Sequence, residues 1–302
     1  MVHAKHWLVC LDLSNMDEIL IGYSKFLSTV VEPESITFFH VIQSDVAARE
    51  IINEFPEVKS REDFEALIRQ ELKERIHSEF GDSKIEIRIV IKEGFPTDQI
   101  IEFVNSLAPD LLLVGKKMAY EGEGIIPKRI VKYVASSVLF VPETCRYILN
   151  RILVGVDFSE ESARALGTAQ KLLPNEETRI TAQHVFRYKA RFFPYTFSPE
   201  EKEEAAREIE KKKEKFVKEY RIPSDIHFAL TLHREGRIAN TIYDQAIRDQ
   251  SDLIVIGSKS KKLSRIIRQD FTDKMVDYAF GIPLLVLKDK ANHQKVLKKL
   301  FQ

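Results

Sequence analysis

Leu8-Val9-Cys10-Leu11-Asp12-Leu13-Ser14 returns 145 positions later as Leu153-Val154-Gly155-Val156-Asp157-Phe158-Ser159. Two further stretches return at nearly the same distance. Ile36-Thr37-Phe38-Phe39-His40-Val41 reappears as Ile180-Thr181-Ala182-Gln183-His184-Val185, at an offset of 144. Asp110-Leu111-Leu112-Leu113-Val114-Gly115 reappears as Asp252-Leu253-Ile254-Val255-Ile256-Gly257, at an offset of 142. A period this long marks a duplicated domain and not a stacked solenoid unit. The 302 residues accordingly divide into a first domain over 1–146, a second over 147–290 and a C-terminal tail over 291–302. At about 150 residues each copy is long enough to bury a core of its own.

Within each copy short apolar runs alternate with longer helical patterns. Continuous runs such as Leu253-Ile254-Val255-Ile256 are what strands buried on both faces require, as in a parallel sheet covered by helices. In the second copy the pattern predicts strands at 152–156, 180–185, 226–232, 253–256 and 284–287. Between the second and third of these, Ser198-Pro199-Glu200-Glu201 places a capping Ser, a Pro at the first helical position and a Glu three residues after the cap. Behind it Ala205, Ile209, Phe216 and Tyr220 fall on one helical face. Lys211-Lys212-Lys213, set among glutamates, reads as a solvated surface of that helix. Parallel strands joined by right-handed crossovers make each copy a doubly wound α/β domain of five strands. The last stretch, 295–301, fits either a short amphipathic helix docked on the body or a frayed tail.

Composition removes several classes of function. The 46 Lys+Arg balance 46 Asp+Glu, for a formal net charge of +0, so a nucleic-acid partner is not expected. The balance hides an asymmetry: up to Leu149 there are 17 basic and 24 acidic residues, a net of −7, which leaves +7 for the remainder. Opposite charges on tethered halves favour docking of the two, and independent drift of two copies would leave the same signature. No apolar run approaches the ~18 residues of a membrane span, and the start shows no export signal. Two cysteines, Cys10 and Cys145, supply neither a disulfide framework nor a sulfur-only zinc site. A cytoplasmic protein without membrane or metal partners is expected.

Ligands of open α/β sheets bind beyond the carboxyl ends of the strands. Asp12 and Asp157 fall there, each followed two residues later by Ser14 or Ser159. Such an Asp can accept hydrogen bonds from a base or ribose, and Asp-x-Ser equally caps the next helix. Gly115 and Gly257 end the fourth strand of each copy, where a missing Cβ admits a ligand or a positive φ. No Gly-x-Ser-x-Gly, Walker loop or His-Glu-x-x-His occurs, and His40 and His184 read as packed strand residues, so no catalytic set is proposed.

The ordered set Ile152 to Ser159, His184-Val185, Arg234-Glu235-Gly236-Arg237-Ile238-Ala239 and Ser251 to Ser258 resembles the universal stress protein family. The first copy matches through Asp12, His40-Val41, 92–97 and Asp110 to Gly115, so nearly the whole chain resembles a tandem universal stress protein. The resemblance implies a Rossmann-like domain of the adenine nucleotide alpha hydrolase-like type. It also implies that the copies pack as a pseudo-dimer through their last strands, here 138–141 and 284–287. Some members bind ATP through a Gly, two residues, a Gly, nine residues and then Gly-Ser or Gly-Thr. Here the second Gly position holds Ser260, and the Gly-Ser position holds Asp270-Phe271, with Thr272 one residue beyond. In the first copy Met118 takes the second Gly position, and Gly124, followed by Ile125, stands for the late one. The adenine side thus matches at Asp157, Val185, Gly257 and Ser258, and at Asp12, Val41 and Gly115, while the phosphate side is degraded in both copies. Lys259, Lys261, Lys262, Arg265 and Arg268 either hold an anion through side chains or form a solvated basic loop.

The favoured expectation is a non-enzymatic stress-response protein that acts by binding a protein partner, a second copy of itself or a small ligand, with ATP or another adenine nucleotide as the ligand the resemblance suggests. The rival is an adenine nucleotide switch, or weak ATPase, using the second domain. A third reading makes Phe192, Phe193, Tyr195 and Phe197 a lid over an apolar ligand; packing at the domain edge is the simpler account.

Overall fold

A computed structural model describes residues 4–43, 58, 60–117, 125–173, 178–187, 199–233, 238–258, 265–278 and 281–289. The chain divides into two compact units. One is built on residues up to Tyr147, together with Lys288 and Asp289, and the other runs from Ile148 to Leu287.

The first unit holds β1 (His6–Leu11), α1 (Met16–Val31), β2 (Ser35–Ile42), α2 (Arg61–Phe80), β3 (Glu86–Glu93), α3 (Pro96–Leu107), β4 (Leu111–Lys116), α4 (Ile125–Tyr133) and β5 (Ser137–Pro142). Its strands lie in the order β3-β2-β1-β4-β5, each neighbour parallel. The second unit repeats this with β6 (Arg151–Gly155), α5 (Glu160–Lys171), β7 (Arg179–Arg187), α6 (Pro199–Tyr220), β8 (His227–His233), α7 (Ile238–Arg248), β9 (Leu253–Gly257), α8 (Arg265–Tyr278) and β10 (Leu284–Leu287). Its order is β8-β7-β6-β9-β10, again all parallel. Both are doubly wound five-stranded sheets, as the alternation of runs predicts. The five strands anticipated in the second copy all form, with ends shifted by no more than two residues.

Hydropathy decides which strands lie inside. Every residue of β2 and β5 is buried, as are Trp7, Leu8 and Val9 of β1 and Leu111 to Val114 of β4. Fully burying one such aliphatic side chain is worth about 1.5–3 kcal/mol. The edge strand β3, Glu-Ile-Arg-Ile-Val-Ile-Lys-Glu, instead alternates charged and apolar residues and is only half-buried, the pattern of a sheet margin.

The Asp that opens each fourth-strand repeat has a structural task. Asp110 Oδ2 accepts the backbone N–H groups of Lys5 and His6 at 2.9 and 3.0 Å. Asp252 Oδ2 does the same for Asn150 and Arg151, at 2.9 and 3.0 Å. Each carboxylate therefore fixes where the first strand of its unit begins, beside the fourth.

In α6, Ile209 and Phe216 are buried as the spacing predicts; its capping Ser198 lies outside the described residues. So do the tail 291–302, the aromatic stretch 192–197, Met118, Gly124, Ser260, Lys259, Lys261 and Lys262. No described helix is long and apolar enough to cross a membrane.

Candidate functional site

The sheet register gathers the candidate residues at the carboxyl ends of the strands. Gly155 stands beside Gln183 on one side and Ile256 on the other. Two residues further along, Asp157, Val185 and Ser258 therefore come to one level, next to Gly257. In the first unit Cys10 stands beside Phe39 and Val114, which brings Asp12 level with Val41 and close to Gly115. Val41 and Val185 are buried. Thr272 is buried within α8, while the side chains of Arg265, Arg268 and Asp270 lie outside the described set.

Both aspartates shape the turn that starts the first helix. Asp12 Oδ1 accepts Ser14 N–H at 3.1 Å and the Ser14 hydroxyl. Asp157 Oδ1 accepts Ser159 N–H at 3.2 Å and the hydroxyls of Ser159 and Ser162. Ser159 in turn caps α5 by accepting Ser162 N–H, so the capping function of Asp-x-Ser is present. The residue between Asp and Ser adopts a left-handed backbone in both units, φ +62° at Leu13 and +61° at Phe158. A bulky side chain in that region is uncommon and marks a turn held by its surroundings.

The fifth position after each aspartate separates the units. Ser162 Oγ accepts Asp157 N–H and donates to Asp157 Oδ1, both at 2.8 Å. In the first unit this place belongs to Asp17, whose two carboxylate oxygens accept Asp12 N–H and Leu13 N–H at 2.9 Å each. Asp17 is fully buried. Burial raises its pKa to about 6, and the Asp12 charge adds to the rise, against the two backbone N–H groups and the Arg75 charge.

Asp12 is neutralised by a lysine of its own unit. Lys117 Nζ lies 2.7 Å from its Oδ2. Burial pushes the Asp12 carboxyl up, but hydrogen bonds from Lys117 and Ser14 outweigh this and leave it below the ordinary carboxylate range. Neither Lys117 nor Asp17 belongs to the motifs; the repeat marks their places by aligning Asp17 with Ser162 and Lys117 with Lys259.

The glycines ending β4 and β9 serve helix packing. A Cβ on Gly257 would sit 2.7 Å from the Glu161 carbonyl oxygen of α5, and one on Gly115 would sit 2.5 Å from Met16 Cγ of α1. The first helix of each unit thus presses on the end of the fourth strand, and the close approach that Gly permits is made by protein.

The two histidines act as struts. His40 Nδ1 is 3.0 Å from Leu11 O and His184 Nδ1 2.8 Å from Val156 O. Each ring ties the end of the first strand to the second, and burial, the larger cause, holds both pKa values below the ordinary imidazole value. His184 also meets Phe158 at 4.2 Å between centroids, and Phe158 meets Phe216 of α6 at 5.5 Å. Beside this cluster lies a cavity of about 360 Å³, bordered by Asp157, Lys212 and Lys215 as well as the three rings. Among the described residues no group of three or more His, Cys, Asp or Glu is placed to hold a metal ion.

Two parallel five-stranded units with a carboxylate beyond the first strand and a glycine ending the fourth define a tandem of Rossmann-like α/β domains. Residues 149–288 match the model of the universal stress protein family. The second unit is thus a universal stress protein domain, and the chain as a whole is a tandem of that fold. A universal stress protein from Archaeoglobus fulgidus DSM 4304 shares the fold at 16% identity with a TM-score of 0.60, the match covering 95% of this chain and 97% of that one. A protein of unknown function from Pseudomonas aeruginosa PAO1 does so at 12% identity and a TM-score of 0.68, over 98% and 97%. No curated protein sequence matches the chain.

Proposed function

We propose that this chain is a cytoplasmic, non-enzymatic stress-response protein that takes a small ligand at the second unit, and through it tunes the binding of a protein partner. One observation carries the reading. Asp157, Val185 and Ser258 come to one level beside Gly257 at the carboxyl ends of the second unit's strands, where open α/β sheets bind their ligands.

Asp157, Val185, Gly257 and Ser258 support an adenine nucleotide as the ligand, since they match the adenine side of the family pattern. The phosphate side supports loose holding without hydrolysis. A phosphate cradle needs backbone N–H groups open to the anion. Ser260 and Asp270-Phe271 stand where the pattern has glycines, and the approach to Gly257 is filled by Glu161.

Calorimetric titration of the full chain with AMP, ADP and ATP, with and without Mg²⁺, tests this. One site per chain is expected, with affinities within about tenfold of one another, no phosphate release and weaker binding in Asp157→Asn. Binding untouched by Asp157→Asn would overturn the assignment to the second unit. Tight, Mg²⁺-dependent binding of ATP with phosphate release would establish the nucleotide switch instead.

A further inference from the structure

α2 and α6 are corresponding helices, ending at Phe80 and Tyr220 just before the third strand of each unit. α2 lays a continuous apolar stripe on its unit: Phe64, Ile68, Leu72, Ile76 and Phe80 are all buried. Aligned on the helix ends, that stripe falls on Glu204, Glu208, Lys212, Phe216 and Tyr220. The alignment also sets Lys215 at the place of Arg75, whose charge reaches the buried Asp17.

The exchange at Leu72 is the consequential one. Leu72 is fully buried, whereas Lys212 is exposed. Where the first unit packs a side chain, the second has the cavity of about 360 Å³ with Ile209 and Phe216 along α6. Phe158 stands opposite, where the first unit has Leu13. Its ring meets His184 at 4.2 Å and Phe216 at 5.5 Å, so one wall is a contiguous aromatic surface. Lys212 and Lys215 supply cations at the border, and Asp157 and Glu219 supply carboxylates.

We propose that this cavity binds a small planar aromatic monoanion, with its ring against the Phe158–His184–Phe216 wall and its charged group at Lys212 and Lys215. Aromatic rings gain stacking energy beyond simple burial. A single anionic group pairs with the lysine ammonium groups through charge-assisted hydrogen bonds. Two carboxylates in the same lining disfavour a polyanion, which separates this ligand class from a nucleoside triphosphate. The proposal deepens the reading of the second unit as the ligand-binding one and rests on it.

The test is calorimetry on the full chain with naphthalene-2-carboxylate, its neutral carboxamide and, separately, ATP. Expected are one carboxylate site per chain and at least tenfold weaker binding of the amide. Lys212→Leu should weaken carboxylate binding at least tenfold and Phe158→Leu several-fold. Both variants introduce the residue of the first unit at that place, and circular dichroism melts check that they fold. No saturable binding, equal affinity for carboxylate and amide, or affinity untouched by both substitutions would overturn the proposal. ATP binding that Asp157→Asn abolishes, with no naphthoate binding, would overturn this proposal and leave the nucleotide reading standing. Lys212-dependent naphthoate binding with no response to ATP would do the reverse.

Discussion

Lys117 Nζ lies 2.7 Å from Asp12 Oδ2, so the carboxylate that opens the first unit's switch point is met by a cation of its own chain. Lys117 follows Gly115 by two residues, and the end of β4 therefore delivers the ammonium directly to the end of β1. A ligand hydroxyl or amine at this Asp would have to displace that ion pair.

Lys117→Ala should raise the Asp12 pKa toward the ordinary carboxylate value. Stability should fall by less than about 1 kcal/mol, because the pair is partly solvated. Carboxyl-carbon NMR titration of Asp12 checks the shift. An unchanged pKa would show that Ser14 alone holds the carboxylate down.

Asp17 makes stability depend on pH in an uncommon direction. Its folded pKa of about 6 lies above the ordinary carboxylate value of 3.8, so the folded state holds the proton more tightly. This contribution is fully present below about pH 4 and is lost as pH rises through about 6. Relative to Asp17→Asn, the natural chain should gain up to about 3 kcal/mol in urea melts between pH 7.5 and 4. Parallel pH profiles for the two proteins would contradict the assignment.

Gly257→Ala should destabilise more than Gly115→Ala. The first brings a methyl group against the Glu161 carbonyl, which belongs to the backbone of α5; the second meets the Met16 side chain, which can move. Overpacking of this kind costs roughly 1–3 kcal/mol. Thermal melts of both variants decide the order. Equal or reversed losses would mean that α5 shifts as readily as a side chain does.

Gln183 occupies the place of Phe39 in the repeat and is fully buried, with its Oε1 unsatisfied. Its Nε2 reaches Thr231 Oγ1 and Thr241 O only at 3.3 Å. Since an unpaired buried acceptor costs about 1–3 kcal/mol, Gln183→Leu should raise the melting temperature. A lowered one would mean that the two long hydrogen bonds outweigh the unpaired oxygen.

The repeats at Asp12 and Asp157, and the apolar runs of β4 and β9, disclosed the duplicated α/β fold because burial on both sheet faces leaves a continuous hydrophobic signature. The placement of Asp157, Val185 and Gly257 at strand ends was legible as well. α1 starts after Asn15 with no side-chain cap bond, whereas the cap that Ser159 sets on α5 was anticipated. Three-dimensional neighbours were not: Lys117 meets Asp12 across 105 positions, and Lys212 and Phe216 reach Phe158 and His184 from a distant helix. Lys212 read as part of a solvated charge run, and only its correspondence with buried Leu72 reveals the cavity beside it. The glycines carried the opposite ambiguity, since a ligand and the backbone of α5 make the same demand for a missing Cβ.

Hydrogen exchange of the full chain with and without millimolar AMP tests most directly the claim that the second unit takes a ligand. Slowed exchange is expected at the Asp157–Ser162 turn and along β7. Protection confined to the Asp12–Asp17 turn, or none anywhere, would contradict that claim.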